Sequence, residues 1–293
     1  MVRPFLSIYL IALLIGMMAA DVFAQIRVTD DLGQEIILQQ PARRVISLAP
    51  NITELLFFVG AGKKIVGADE YSNYPDEAKK IQRVNNFAAA NYELILSLKP
   101  DLVIAWYSGN GEQITARIRE LGLPLFVIEP RKMESVPGLL VRLGELTGNR
   151  QQAIRKAETF REQLDRLKEA YSDKKKVRVF YQIWNEPLIT LNGEHLVSDV
   201  IKQCGGENVF ADAVPLVPYV NIEAVIRAQP EVIIASGSSE DAPQWLDMWE
   251  SWPTLQAVAN KQVYFIPPDL MQRHSMRILD GAHQLCGYLD NAR

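Results

Sequence analysis

The chain has 293 residues, of which 48% are hydrophobic and 23% are charged. This composition is typical of a soluble globular protein with room for two domains. The formal net charge of −4 provides no basic surface for nucleic acid and disfavours attachment to anionic membranes.

The first 24 residues differ from the rest. Arg3 precedes an apolar run from Phe5 to about Ala20. This run is shorter than the roughly 20 apolar residues that a membrane-spanning helix needs. Val22 and Ala24 are small residues of the kind that signal peptidase prefers. We therefore expect residues 1–24 to be a signal peptide cleaved near Ala24, with an uncleaved anchor as the alternative.

Short apolar strands and helices alternate after this segment. Residues 26–38 predict a β-hairpin with Gly33 at its turn, and residues 42–50 predict a buried strand. Asn51 and Glu54 have the spacing of a capping box and predict a helix over residues 51–62. Apolar strands that alternate with helices are typical of parallel sheets covered on both faces.

One helix–Pro–strand phrase occurs twice, 130 positions apart. It reads NYELILSLKPDLVIAW at residues 91–106 and NIEAVIRAQPEVIIAS at residues 221–236. Each copy begins with Asn, a preferred N-cap, and carries Glu two residues later. The repeat predicts two lobes of similar plan.

A long amphipathic helix separates the two copies. Its apolar stripe recurs at spacings of three and four residues, as a helix requires, at Ala153, Ala157, Phe160, Leu164, Leu167 and Tyr171. We expect an N-terminal α/β lobe at 25–148, an interlobe backbone helix at 149–176 and a C-terminal α/β lobe at 177–293. The predicted fold class is therefore α/β, with two Rossmann-like lobes, and a ligand is expected in the cleft between them.

The chain has two cysteines, Cys204 and Cys286. In an exported protein this even number favours a disulfide, with two buried free thiols as the alternative. Motifs of hydrolases, zinc proteases and phosphate-binding loops do not occur. Glu194, His195 and Ser198 are close in sequence, but proximity in sequence does not make a catalytic triad. A secreted hydrolase is therefore a remote alternative, and no enzymatic activity is expected.

The segment from Asp30 to Pro75 resembles the substrate-binding proteins of ATP-driven (ABC) importers, in the class III group with a helical interlobe backbone. That group serves cobalamin, ferric siderophores and haem. EYSNYP (70–75), LKPDLVIAWYSGN (98–110), CGGENVF (204–210) and HQLCGYL (283–289) are most similar to its cobalamin-binding members. The resemblance implies a soluble, monomeric periplasmic receptor for cobalamin or a related corrinoid. Ferric-siderophore or haem binding is the alternative.

The resemblance also implies roles for several residues. It pairs Cys204 with Cys286 in a disulfide. It implies that Glu93 and Glu223, one on each lobe, dock onto a permease dimer whose ATPase subunits lie across the membrane. For both glutamates, a purely local role at a helix N-terminus fits as well.

The predicted ligand-binding residues follow strand ends, where α/β lobes bind ligands. Tyr71 and Trp106 match aromatic residues of the family pocket, Phe87 replaces a pocket tryptophan, and Trp184 is assigned from position alone. Residues 268–272 match the family's C-lobe contact loop, although Leu270 and Met271 replace aromatic residues, and a pocket tryptophan is absent near Val217. The full predicted set is Tyr71, Phe87, Trp106, Trp184, Pro268, Asp269, Leu270, Met271 and Gln272.

The three histidines, His195, His274 and His283, are scattered and do not form a zinc-binding pattern. His274 lies in or near the contact loop, and the alternative role for it is to reach a bound metal centre. We expect no cofactor and no protein-bound metal. The long helix is expected to restrict closure of the lobes to a small tilt.

Overall fold

The computed structural model describes residues 25–86, 89–237 and 242–293. An antiparallel hairpin opens the fold, with β1 at Ile26–Thr29 and β2 at Glu35–Leu38. Gly33 lies in its turn with φ of 80°, a left-handed conformation that glycine adopts without a steric penalty. The predicted hairpin is therefore present.

The N-terminal lobe contains a five-stranded sheet in the order β5-β4-β3-β6-β7, with all neighbours parallel. Its strands are β3 Val45–Ser47, β4 Ile65–Asp69, β5 Arg83–Asn85, β6 Leu102–Trp106 and β7 Leu125–Ile128. Its helices are α1 Pro50–Phe58, α2 Tyr92–Ser97, α3 Tyr107–Glu120 and α4 Val136–Leu146. Short 3₁₀ segments lie at Gly62–Lys64, Asp76–Lys80 and Met133–Ser135.

A long helix, α5 at Arg150–Tyr171, connects this lobe to the next. The C-terminal lobe has strands β8 Val177–Gln182, β9 Trp184–Asn185, β10 Leu188–Ile189, β11 Gly206–Asn208, β12 Val232–Ala235 and β13 Val263–Phe265. Its helices are α6 Leu196–Gln203, α7 Ile222–Ala228, α8 Gln256–Ala259, α9 Pro268–Met271 and α10 Ile278–Asn291, with a 3₁₀ segment at Gln244–Ser251. The main sheet is parallel, in the order β11-β8-β12-β13.

The two sheets share one plan. In each, the first strand of the sheet (β3 or β8) is an internal strand, the next strand of the sheet (β4 or β11) pairs with it on one side, and a later strand (β6 or β12) pairs with it on the other. The predicted class, two α/β lobes with parallel sheets joined by a long helix, is confirmed.

Helix α5 packs against α4 of the N-terminal lobe and against α6 and α10 of the C-terminal lobe. Its predicted stripe is buried at every position from Ala153 to Leu167, so one core runs from lobe to lobe. The helix ends at Tyr171, five residues before the predicted end at Lys176. No apolar residue continues the stripe, and Lys174 Nζ pairs with Asp290 at 2.6 Å, which directs the chain towards α10.

The repeated phrase builds the same substructure in both lobes. The Asn91 and Asn221 side chains each accept a hydrogen bond from a backbone N–H of the helix that they cap, at 3.0 and 2.9 Å. Each helix is followed by a non-glycine residue in the left-handed region, Lys99 with φ of 47° and Gln229 with φ of 43°. The repeat therefore reflects equivalent architecture.

The acid that follows proline in each phrase also has an equivalent role. Asp101 accepts the backbone N–H groups of Arg43 and Arg44 at 2.8 and 2.9 Å. Glu231 accepts the backbone N–H of Arg178 at 2.8 Å. These carboxylates fix the start of the central strand in each lobe.

The predicted N-cap at Asn51 is wrong. Helix α1 begins at Pro50, a residue favoured in the first helical turn, and its N-cap is Ala49. Asn51 is already inside the helix and is buried. Glu54 makes no capping bond, because its carboxylate faces the other lobe.

The predicted disulfide is present. Cys204 at the end of α6 is bonded to Cys286 in α10, with an S–S distance of 2.02 Å. Both cysteines are completely buried. Within the described ranges, none of the helices is both long and apolar enough to cross a bilayer.

Candidate ligand-binding cleft

Strand order identifies one preferred binding position in each lobe. Ligands of open α/β sheets bind beyond the carboxyl ends of the strands, where the chain changes direction across the sheet. In the N-terminal lobe that point lies between β3 and β6, and in the C-terminal lobe between β8 and β12. Trp106 ends β6 and Trp184 follows β8. Each of these predicted aromatic residues therefore lies at the point where the strand order of its sheet changes direction, which we call the switch point.

Tyr71 is 51% exposed at the carboxyl end of β4. Its backbone N–H donates to Asp69 Oδ1 at 2.9 Å, and Asn85 Nδ2 donates to Asp69 Oδ2 at 2.8 Å. Burial raises the pKa of Asp69 to about 6, although the Tyr71 N–H and the Arg83 charge act in the opposite direction. Asp69 thus anchors the loop that presents the Tyr71 ring.

Trp106 contacts a pair of histidines that belongs to the other lobe. The rings of Trp106 and His274 meet edge to face with centroids 4.9 Å apart, and His195 and His274 meet in the same way at 5.1 Å. Trp106 Nε1 is buried without a hydrogen-bond partner among the described residues. An indole whose buried N–H has no partner among the described residues is therefore held at the interlobe contact.

Both histidines are held in the neutral form. Burial, and to a smaller extent the charge of Arg131, lowers the pKa of His195 to about 4. Burial also lowers the pKa of His274 well below its usual value, with further contributions from His195 and Arg131. His274 is 3% exposed and its ring packs edge to face on Trp106. Among the described residues no group of three or more His, Cys, Asp or Glu is arranged to hold a metal ion. His283 is exposed on α10.

A small sheet follows β8 in the C-terminal lobe. Trp184 pairs with Ile189 across β9 and β10, and Ile189 pairs in turn with Tyr219 through an isolated bridge. Directly paired residues project from the same face of a sheet. Trp184 is 37% exposed and Tyr219 is 72% exposed, so an accessible apolar row continues from the switch point.

The predicted contact loop at 268–272 contains the short helix α9. Pro268 and Met271 are buried, whereas Asp269, Leu270 and Gln272 are partly exposed. Met271 packs so closely on α10 that a Cβ added at Gly281 would lie 2.7 Å from its sulfur. Met271 therefore supports the loop from beneath, and its side chain does not face the cleft.

The exposed part of this loop is fixed by polar contacts. Gln272 Nε2 donates to the Gly237 carbonyl oxygen at 3.1 Å. Asp269 Oδ1 pairs with Arg273 at 2.7 Å. The loop thus offers one carboxylate and one amide at a defined position.

Arg273 and Arg277 extend from this loop region to the N-terminal lobe. Arg273 Nη1 lies 3.0 Å and Arg277 Nη1 3.2 Å from Glu54 Oε1, and the Ser275 hydroxyl donates to Glu54 Oε2 at 2.6 Å. Burial raises the pKa of Glu54, while the Ser275 hydroxyl and the two guanidinium groups oppose that shift. This contact has no local signal in the sequence, because its partners are more than 200 residues apart.

Glu93 and Glu223 occupy the same position in equivalent short helices, one residue after the first helical residue. Both are exposed, and neither forms an ion pair within the described part of the chain.

Phe87 lies outside the described residues. Tyr219 was missed by sequence reasoning, although its alternation with Pro218 and Val220 was a possible signal for a strand.

Comparison with known proteins identifies the family. The model of the family described as "Periplasmic binding protein" matches residues 45–270. The chain belongs to the periplasmic binding protein family. A vitamin B12-binding protein of Vibrio cholerae is 39% identical over 254 residues, which is 86% of this chain and 91% of that protein. A vitamin B12-binding protein of Yersinia pestis is 36% identical over 247 residues, or 84% of this chain and 86% of that protein.

Solved structures agree with this assignment. The crystal structure of the periplasmic vitamin B12 binding protein of Vibrio cholerae aligns with a TM-score of 0.80 at 38% identity, covering 86% of this chain and 98% of that one. The haem-binding protein RhuT of Roseiflexus aligns with a TM-score of 0.75 at 22% identity, covering 86% and 100%. At that identity the second comparison supports the fold alone.

Proposed function

We propose that this protein is the periplasmic substrate-binding component of an ABC importer, and that it captures cobalamin or a related corrinoid between its lobes. It would then deliver the ligand to a membrane permease whose ATPase subunits supply the energy. The proposal assigns no catalysis and no resident cofactor to the chain. It is supported by the family match and by the 39% identity to a vitamin B12-binding protein.

One observation favours a broad, uncharged ligand: the cleft is aromatic, and its arginines already have partners. Arg131 pairs with Glu129 at 2.9 Å, and Arg273 pairs with Glu54 and Asp269. An anionic siderophore or a haem propionate would have to compete with these carboxylates. A corrin ring, which is mostly apolar with neutral amides at its rim, needs only aromatic faces and scattered hydrogen-bonding groups.

Within this proposal, Tyr71, Trp106 and Trp184 contact the ring, and Leu270 adds apolar surface. Asp269 and Gln272 are the candidates for hydrogen bonds to rim amides. The remaining predicted residues of the loop, Pro268 and Met271, support α9 from the core. Phe87 remains a candidate from the sequence.

Calorimetric titration of the mature protein with cyanocobalamin, haemin and a ferric siderophore tests the ligand. Cyanocobalamin is expected to bind with micromolar or tighter affinity, and Trp106→Ala is expected to weaken it by about 10- to 100-fold, the range for loss of a large aromatic contact. Trp252→Ala is the matched control, since Trp252 is a half-buried tryptophan of a separate C-lobe core. Binding of haemin or the siderophore with no heat from cyanocobalamin would transfer the proposal to that ligand.

Docking through Glu93 and Glu223 is proposed from their equivalent, exposed positions. Two carboxylates on separate lobes can form charge-assisted pairs with permease arginines and fix the orientation of the complex. Glu93→Arg and Glu223→Arg should each reduce transport into reconstituted vesicles while ligand affinity is unchanged. Glu158→Arg, an equal charge change on the exposed face of α5, should transport normally. Normal transport by the Glu93→Arg/Glu223→Arg double variant would limit both glutamates to a local role in their helices.

A further inference from the structure

Glu54 is a buried carboxylate whose hydrogen-bond partners come from the other lobe. Its side chain is 0% exposed. The three donors, Arg273, Ser275 and Arg277, lie 219 to 223 residues further along the chain. A buried charge is tolerated when it is paired and hydrogen-bonded. Glu54 is therefore satisfied only while the lobes keep this relative position.

Arg273 connects this contact to both sides of the proposed ligand site. The same guanidinium lies 2.6 Å from Asn73 Oδ1 and 3.3 Å from the Tyr71 carbonyl oxygen. On its own lobe it pairs with Asp269 at 2.7 Å. Arg273 thus joins the loop at residues 70–75 (the Tyr71 loop) to the loop at residues 268–272 (the Asp269 loop). Glu54 in turn holds the Arg273 side chain.

Arg277 reinforces the arrangement from the next turn. Its guanidinium lies 4.4 Å from the ring centroid of Tyr74, which belongs to the Tyr71 loop, and 3.7 Å from Asp269 Oδ2. Both arginines therefore contact Glu54, Asp269 and the Tyr71 loop. Two guanidinium groups face two carboxylates, so the cluster has no excess charge.

We infer that Glu54 is a positioning residue for the ligand site: through Arg273 and Arg277 it sets the distance between the Tyr71 loop and the Asp269 loop across the cleft. This inference rests on the proposed function. Glu54 does not contact the ligand. Its effect on affinity comes from keeping two contact loops in register before the ligand arrives, which reduces the ordering that binding requires.

The test uses Glu54→Gln, which preserves shape and removes the charge. We expect the affinity for cyanocobalamin to fall by about 10- to 100-fold, since hydrogen bonds to a charged group are lost at both arginines. We also expect faster backbone hydrogen exchange in residues 69–75 and 267–277 of the ligand-free protein. A role in general stability alone would instead speed exchange throughout β3 and β6.

Glu231→Gln is the matched control. The Glu231 side chain is also poorly exposed, at 14%, and is paired with Lys175 and the Arg178 N–H, but these contacts stay within one lobe at the amino ends of the strands. This variant should bind cyanocobalamin like the wild type. If Glu54→Gln does not fold, Ser275→Ala is the milder variant: it removes the 2.6 Å bond to Glu54 Oε2 and the 3.3 Å bond that the Arg277 N–H donates to Ser275 Oγ, and it leaves both arginine contacts with Glu54. It should weaken binding by about threefold to tenfold.

The outcomes are distinguishable. If the wild-type protein does not bind cyanocobalamin, the proposed ligand is refuted. The hydrogen-exchange measurement on the ligand-free protein still decides the role of Glu54. Wild-type affinity together with unchanged exchange in residues 69–75 and 267–277 of Glu54→Gln refutes the inference.

Discussion

His195 should make the protein less stable in acid, and the size of the effect follows from its position. Its Nδ1 accepts the Val197 N–H at 3.1 Å and caps α6, so protonation of Nδ1 would remove the cap. Burial lowers the pKa of His195 from 6.5 to about 4. Because the folded-state pKa is below the unfolded value, the unfolded chain takes up the proton first. The contribution of the neutral His195 side chain to stability is therefore fully present above pH 6.5 and is lost as the pH falls towards 4.

Linkage between pKa values of 6.5 and about 4 predicts a loss of about 2–3 kcal/mol between pH 7.0 and 4.5. Asp69 acts in the opposite direction, because its pKa is raised to about 6 and the folded state takes up that proton first. This contribution is common to the wild type and to a His195 variant. It therefore cancels when the two are compared.

The informative variant is His195→Asn, because asparagine is a good N-cap and does not titrate. Urea unfolding followed by circular dichroism at pH 7.0 and 4.5 should show that the variant loses about 2–3 kcal/mol less than the wild type. His283→Asn, on the exposed face of α10, controls for the loss of a histidine. Equal losses in His195→Asn and the wild type would contradict the assignment of a buried neutral imidazole.

Three further predictions concern stability and the loop at 268–272. Replacing both Cys204 and Cys286 by Ala should reduce the free energy of unfolding by about 4.5 kcal/mol, as closure of a loop with a separation of 82 implies; a calorimetric loss below about 1 kcal/mol would contradict the entropic account. Gln229→Gly should stabilise by about 0.5–1 kcal/mol, because Gln229 occupies a left-handed position, and any destabilisation in urea would refute this. Gly281→Ala would place a Cβ 2.7 Å from Met271 Sδ and should displace α9, weakening cyanocobalamin binding by about tenfold; unchanged affinity would separate α9 from the site.

The fold was predictable because its signals are local. Asn91 and Asn221 are caps within three residues of the N–H groups that they accept, and the stripe from Ala153 to Leu167 needs only helical periodicity. Aromatic residues that follow buried strands, such as Trp106, are also visible locally. Each of these patterns is confined to one element, so a single sequence is enough to identify it.

The interlobe contacts were not predictable in the same way. Glu54 has the spacing of a capping residue, and only its burial against Arg277, 223 residues away, assigns it to the interface. Met271 lies in a segment that resembles a contact loop. Because Gly281 has no Cβ, the Met271 side chain can pack into the core against α10. Local patterns identify the elements, but which face of each element is covered depends on partners distant in sequence.

The pseudo-symmetry of the lobes explains why the interface forms where it does. Glu54 lies in the helix after β3 and binds the segment after β13. Asp199 lies in α6, the first helix after β8 and the β9–β10 hairpin, and accepts the Met133 N–H of the segment after β7 at 2.8 Å. Since β3 corresponds to β8 and β7 to β13, the two contacts are equivalents that cross the cleft in opposite directions. They differ in strength, because Glu54 is fully buried with three side-chain donors whereas the partly exposed Asp199 accepts one backbone N–H across the cleft. The stronger contact lies beside Tyr71 and Asp269, so the duplicated architecture is most firmly fixed where the ligand is proposed to bind.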